Sequence, residues 1–223
     1  PHDEGEPIEA LQVQAARHAD ERGRAHPVGA GRHAVEQCRH PAARHVVLGR
    51  IGGAADDADA SVEQLDVLLA GLQDGVQVQL VTPQDDAVRM LADALNTPEL
   101  DTLHVLGHGA PGEVILGGQR IDAGAMPALQ SQLTRTGPDT QLLDTQICLW
   151  SCRTGAETSG DIFMNAFAQT TNATIFATEN LVGNNKLGGT WNLEKSAAPR
   201  KGVPFSAEAL EGFEGVLAGA PKL

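Results

Sequence analysis

The sequence has no tyrosine, and its two tryptophans and five phenylalanines make up 3% of 223 residues. So thin an aromatic supply argues against a stacking platform for single-stranded nucleic acid. Three cysteines cannot build a disulfide framework. No apolar run reaches the roughly 18 residues that a membrane-spanning helix needs. Cations are scarce too. Sixteen Lys and Arg stand against 29 Asp and Glu, a formal charge of -13, which speaks against nucleic acid or an anionic membrane surface as a partner. What the chain does have is the make-up of a folded domain, 41% hydrophobic and 20% charged. A domain of ~150 residues buries about two-thirds of its unfolded surface without a covalent staple.

The charge is unevenly spread. Residues 1–50 hold seven Arg, seven acidic residues and six of the eight His, so all the excess negative charge lies beyond them. Pro7, Pro27 and Pro41 interrupt this first stretch, large apolar residues are few, and only Ile8–Ala16 has a weak helical pattern. No apolar core follows a basic start, so it does not read as a secretory signal. The histidines, at 2, 18, 26, 33, 40 and 45, show no HExxH or His-x3-His spacing. Residues 1–58 therefore read as a disordered or foreign leader.

From Ser61 the pattern is regular. Ser61-Val62-Glu63-Gln64 has the form of a capping box, with Val62, Leu65, Leu69 and Leu72 at helical spacing after it. Gly75 ends that helix, and Val76–Val81 alternates as a strand does. Thr82-Pro83-Gln84-Asp85 looks like a second helix start with Thr82 as N-cap, and Val88, Leu91, Ala92 and Leu95 follow as its inner face. Thr102–Leu106 is a short apolar strand. Glu113–Leu116 and Gln119–Ile121, joined by Gly117-Gly118, predict a hairpin. Met126–Thr134 reads as helix and Gln146–Trp150 as strand. Ile162, Phe163, Ala166 and Phe167 mark another helix, and Ala173–Thr178 another strand. Strands alternating with helices imply an α/β fold with a mainly parallel sheet covered on both faces.

Ligands of such sheets bind beyond the carboxyl ends of the strands. Two chemically capable side chains fall there: His108 after Thr102–Leu106, and Cys152 after Gln146–Trp150. An imidazole beside a thiol can take its proton, and the thiolate can then attack a carbonyl. The backbone N–H groups of Gly109 and Cys152 are candidates to hold the resulting oxyanion. The plain alternative is a loop histidine and a buried structural cysteine. Cys148 shares a strand face with Cys152 but stands ~13 Å away, too far for a disulfide, and reads as core. His104 reads as a satisfied core or edge histidine.

The segments LHVLGHG (103–109) and ICLWSC (147–152) resemble the caspase-like (clan CD) cysteine peptidases. A closer resemblance is to an uncharacterised caspase-like domain found near the start of giant bacterial repeat adhesins. It takes in LDVLLAGL (65–72), HGAPG (108–112), LGGTWNLE (187–194) and PFSAEALEGFEGVLA (204–218), and covers roughly residues 59–218. The resemblance implies a three-layer sandwich with a small hairpin after the histidine loop, His108 as general base and Cys152 as nucleophile. It also implies a secreted or cell-surface setting. Ser151 stands where such domains usually carry Gly, and Arg153-Thr154 where Asp or Asn is more usual. Their usual first strand falls here on Gly52–Ala60, which cannot form a buried strand. His45–Leu48 is the only nearby substitute, so one strand is expected to be missing.

Gly107 to Gly112 also fits the formal G-x-G-x-x-G spacing of a dinucleotide site. That fingerprint needs a helix N-terminus next, whereas Glu113–Leu116 is strand-like. For substrate preference, Glu179, Glu157 and Asp161 are candidates for an acidic wall favouring a basic residue before the cut. Arg200-Lys201, on a Pro-flanked stretch, is a candidate self-cleavage site. The chemistry calls for no metal or cofactor, and no D-x-D-x-D-G calcium loop is present. The sequence thus predicts a leader to 58, a caspase-like domain at 59–196, and a linker at 197–223. The expected function is a cysteine endopeptidase acting on a peptide or protein, its own parent chain included. The alternative is an inactive cap or interaction module of an adhesin.

Overall fold

The computed structural model describes residues 45–49, 64–134, 144–196 and 198–218, all within one compact unit, Pro41–Leu223. The Ile8–Ala16 helix, Cys38, Gly52–Ala60 and Ser61 lie outside the described residues.

Five parallel strands form the central sheet: β1 (His45–Gly49), β2 (Val76–Leu80), β3 (Thr102–Leu106), β7 (Gln146–Trp150) and β8 (Thr174–Phe176), in the order β2-β1-β3-β7-β8. The strand expected to be missing is present, because His45–Gly49 pairs in parallel with both β2 and β3 and fills the place between them. The domain therefore begins upstream of residue 59.

Strand parity divides the core into two layers, since successive side chains leave opposite faces. Leu103, Val105, Ile147, Leu149 and Ile175 face one cluster with Leu91, Leu95, Leu129, Phe163 and Phe167. These come from α2 (Ala87–Leu95), α3 (Met126–Gln132) and α4 (Glu157–Thr171). Leu106, Cys148, Trp150 and Phe176 face the other cluster with Leu65 and Leu68 of α1 (Leu65–Ala70). Phe205, Phe213 and Leu217, which flank α5 (Ala207–Gly212), complete it. The architecture is a three-layer α/β sandwich.

Part of the linker expected at 197–223 belongs to that second layer, since Phe205, Phe213 and Leu217 are no more than 2% exposed and pack into the core. The aromatics converge here: Trp191 packs on Trp150, Phe205 and Phe213 at centroid distances of 6.1, 6.3 and 5.5 Å. Trp150 Nε1 donates to His104 Nδ1 at 3.2 Å, which makes His104 the satisfied core histidine its position suggested.

Two helix starts differ from the sequence expectation. Asp85 accepts from the N–H and Oγ1 of Thr82, closing a turn over 82–85. The helix then begins four residues later, with Asp86 as its cap accepting from the N–H groups of Val88 and Arg89. α1 starts after Gln64, which has a left-handed φ of 58° and makes no side-chain cap. On α4, Ile162 is 56% exposed and faces solvent, while Phe163 and Phe167 face the core. The hairpin is as expected, β5 (Glu113–Leu116) and β6 (Gln119–Asp122), with Gly117 and Gly118 both at positive φ as its two-residue turn demands. It gains a third strand, β4 (His108–Ala110), antiparallel to β5. No helix opens after Gly112, so the dinucleotide reading has no N-terminus to hold a phosphate.

Candidate active site at the carboxyl ends of β3 and β7

β3 and β7 are neighbours, paired from Thr102↔Gln146 to Leu106↔Trp150. The Gly107 N–H donates to the Trp150 carbonyl at 3.3 Å and carries the pairing one step further. His108 and Cys152 follow at once, each two residues past the last paired position. The two turns touch. A Cβ placed on Gly109 would stand 2.8 Å from the Cys152 carbonyl oxygen and from Ser151 Cβ, and 2.5 Å from Thr154 Oγ1. Only glycine permits this approach.

The turn after β7 is stitched to the histidine hairpin through Thr154. Its Oγ1 donates to the Glu113 carbonyl at 3.0 Å, and its carbonyl accepts from Gly112 N–H at 3.1 Å. A hydroxyl has one proton, so in the 2.6 Å pair between Ser151 and Thr154 the Ser151 hydroxyl is the donor. Thr154 thus ties the cysteine turn to the histidine hairpin, and the Ser151 hydroxyl braces Thr154 from within its own turn. Arg153 adopts φ 60°, a left-handed conformation that Asn and Asp tolerate better than other side chains.

Cys152 is 1% exposed. Its thiol donates to the Val182 carbonyl at 3.7 Å, and Sγ accepts from the Val182 N–H at 3.1 Å. Burial pushes its pKa from 9.0 up to about 11, although hydrogen bonds from the Val182 and Leu217 backbones pull the other way. Of the two readings the sequence leaves open, a thiolate primed by histidine and a buried cysteine, this conformation holds the neutral, buried thiol. His108 is also buried, at 7% exposure. Cys148 is wholly buried, and the loss of solvation drives its pKa to about 12.

The C-terminal segment covers the sulfur. β9 (Leu181–Val182) pairs with β10 (Gly189–Thr190) and forms one wall. Residues 215–218 run between that wall and the histidine turn, with an antiparallel bridge Gly183↔Val216 and a parallel bridge Gly109↔Ala218. A cleft of about 350 Å³ lies alongside, lined by Asn184, Asn185, Lys186, Trp191, Leu210 and Glu211. Cys152 is not among its lining residues.

The acidic wall is not a free one. Lys195 Nζ bridges Asp161 and Glu179 at 2.9 Å each, and these two partners raise the lysine pKa above its usual value. Glu157 faces Arg153 at 3.7 Å. Two cations thus serve the three carboxylates, Asp161 and Glu179 sharing Lys195 while Glu157 faces Arg153. Arg200-Lys201 is held far from the sulfur. Lys201 N–H donates to Gln146 Oε1 at 2.8 Å, and Gln146 Nε2 donates to the Pro199 carbonyl at 2.9 Å. This anchors the backbone of the pair at the amino end of β7, whereas Cys152 follows its carboxyl end. The Arg200 guanidinium lies 5.0 Å over the Trp150 ring.

A positioning carboxylate escaped the sequence reading. Glu194 accepts from Thr178 Oγ1 at 2.8 and 2.9 Å, from Glu179 N–H at 2.9 Å and from Asn180 Nδ2 at 3.1 Å. The loop it holds accepts in turn from the N–H groups of Arg153 and Gly155. Burial works to raise the Glu194 pKa, but these donors outweigh it and hold the carboxyl below its usual range. A depressed carboxyl pKa stabilises the fold above the unfolded value and loses that effect as pH falls through the folded one. Glu194→Gln is accordingly expected to cost about 1 kcal/mol at neutral pH. The difference from wild type should shrink toward zero in melts taken below about pH 4. Its only sequence signal was a place in the LGGTWNLE segment.

A family described as a domain of unknown function, DUF4347, matches residues 58–217. The chain belongs to the DUF4347 family. The match reaches Leu217, so the segment that covers Cys152 is part of the DUF4347 domain, whereas β1 lies upstream of the matched span. No curated protein matches the chain. Among the described residues no group of three or more His, Cys, Asp or Glu is placed to hold a metal, and no helix is long and apolar enough to cross a membrane.

Proposed function

We propose that this DUF4347 domain is a caspase-like cysteine endopeptidase module in which His108 is the general base and Cys152 the nucleophile. The reading rests on the meeting of the two turns at the carboxyl ends of adjacent parallel strands, where Gly109 approaches the Cys152 backbone too closely for any side chain. In the opened site the Cys152 proton passes to the His108 imidazole, and sulfur bonds to the peptide carbonyl carbon. Backbone N–H groups of Gly109 and Cys152 hold the oxyanion. The C–N bond breaks as His108 returns the proton to the leaving amine, and water hydrolyses the thioester. The proposed substrate is a peptide segment of a secreted or surface protein, the parent chain included.

A second reading is favoured by the buried neutral thiol and its cover: an inactive caspase-like cap or interaction module of an adhesin. Incubating the chain with a library of unstructured peptides separates the two. Peptidase action predicts hydrolysis that Cys152→Ala abolishes and that His108→Ala lowers by about 10²-fold or more. Hydrolysis that survives Cys152→Ala, or none from a chain whose Cys152 is demonstrably accessible, leaves the cap reading.

A further inference from the structure

The segment over Cys152 has the geometry of a peptide laid in a cleft as an added strand. Leu217 N–H donates to the Val182 carbonyl and Asn184 N–H to the Gly215 carbonyl, each at 2.8 Å, and Gly109 bridges to Ala218 on the other side. Main-chain pairing of this kind is how extended peptides are recognised. Gly183, at φ 132°, is shaped for it, because a Cβ there would stand 2.8 Å from Val216 Cα and collide with the Gly215 backbone. The segment is anchored upstream. Asn184 Nδ2 donates to the Phe213 carbonyl at 2.8 Å, and Gln64 Oε1 accepts from Glu214 N–H at 2.8 Å.

The sulfur meets this strand through Val182, whose N–H donates to Sγ at 3.1 Å and whose carbonyl accepts from the Leu217 N–H at 2.8 Å. The latter contact presents the donor edge of the Val216–Leu217 peptide. Attack needs the opposite arrangement, with sulfur above the plane of the carbonyl carbon. An occupant bound through its N–H edge blocks the nucleophile and is not itself cleaved. We propose that Gly215–Ala218 is a built-in inhibitory strap that occupies the peptide-binding cleft and must lift off before Cys152 can react. This rests on the peptidase reading for its purpose, though not for its test. A substrate would take the place of the strap, as an extended main chain between Gly109 and Gly183.

Cys148 provides an internal reference, four residues earlier, on β7, and buried in the same core layer. The experiment follows iodoacetamide labelling of both cysteines in the full chain by mass spectrometry, under native conditions and in rising sub-denaturing urea. A strap that lifts locally predicts Cys152 labelling about tenfold or more faster than Cys148, with a rate almost flat in urea, whereas Cys148 waits for global unfolding. A chain ending at Glu214 should label Cys152 about tenfold faster again with Cys148 still protected. Equal rates with the same steep urea dependence in the full chain would overturn the proposal. So would loss of protection at both cysteines on truncation, which would make 215–218 a structural strand. If Cys152 opens as expected, yet His108→Ala leaves its labelling unchanged and no peptide is cut, the strap stands and the peptidase reading falls.

Discussion

Replacing Phe213 with alanine should destabilise the domain by about 3–5 kcal/mol, the usual cost of emptying a large aromatic site in a core. Phe213 is 1% exposed and meets Trp191 edge-on at 72°. Trp191 in turn leans on Trp150 and Phe205. The cavity would therefore open under the whole aromatic cluster, and it would release the anchor of the strap. At about 2–4 °C per kcal/mol for a domain of this size, melting should fall by roughly 6–20 °C. Urea denaturation of wild type and Phe213→Ala measures it directly. A loss below about 1 kcal/mol, typical of exposed positions, would return this segment to the status of a linker.

Raising the pH from 9 toward 11 should sap stability steeply, and the cause is the pair of buried thiols. Cys148 and Cys152 ionise near 9.0 when unfolded, whereas burial lifts them to about 12 and about 11 in the fold. Between those values the folded chain binds more protons than the unfolded one, so stability falls as pH rises. Each thiol contributes a slope of up to about 1.4 kcal/mol per pH unit. The window is unusually clean because the chain has no tyrosine to ionise in it. Lys195, raised by Asp161 and Glu179, adds a loss in the same direction only above its ordinary 10.5. Melts of wild type, Cys148→Ala and Cys152→Ala from pH 8.5 to 10.5 test this. Each substitution should flatten the curve, and a wild-type curve already flat would refute the burial of both thiols.

The two effects fall on different sides of what local sequence reveals. Thr102–Leu106, Gln146–Trp150 and the Gly117-Gly118 hairpin were legible because alternation and turn residues act over a few positions. The Thr82 start was not. It carried a cap residue and a proline in the right order, but the Asp85 side chain turned back onto Thr82 and closed a separate turn first. The core residues within the expected linker at 197–223 escaped for a similar reason. Gly, Pro and isolated large apolar residues give no periodicity, and only the Trp150–Trp191 platform from other elements makes Phe213 and Leu217 core. His45–Gly49 was too short a run to outweigh its polar surroundings until the gap between β2 and β3 received it. Glu179 just past a strand, with Glu157 and Asp161 as alternatives, could be picked out as acidic residues from the sequence. Which cations they meet depends on Lys195 and Arg153, set in place by the fold.

By itself the sequence determined the α/β class, the order of its main strands and helices, and the arrival of a histidine and a cysteine at two strand ends. These follow from short-range periodicity and from the rule that parallel sheets present their carboxyl ends to ligands. Tertiary structure alone decided that β3 and β7 are neighbours, that Thr154 ties their turns together, and that the Cys152 thiol is neutral beneath residues 215–218. Ionisation and access depend on the solvent and dipoles around an atom. In this chain those surroundings come from residues 30 to 65 positions further along.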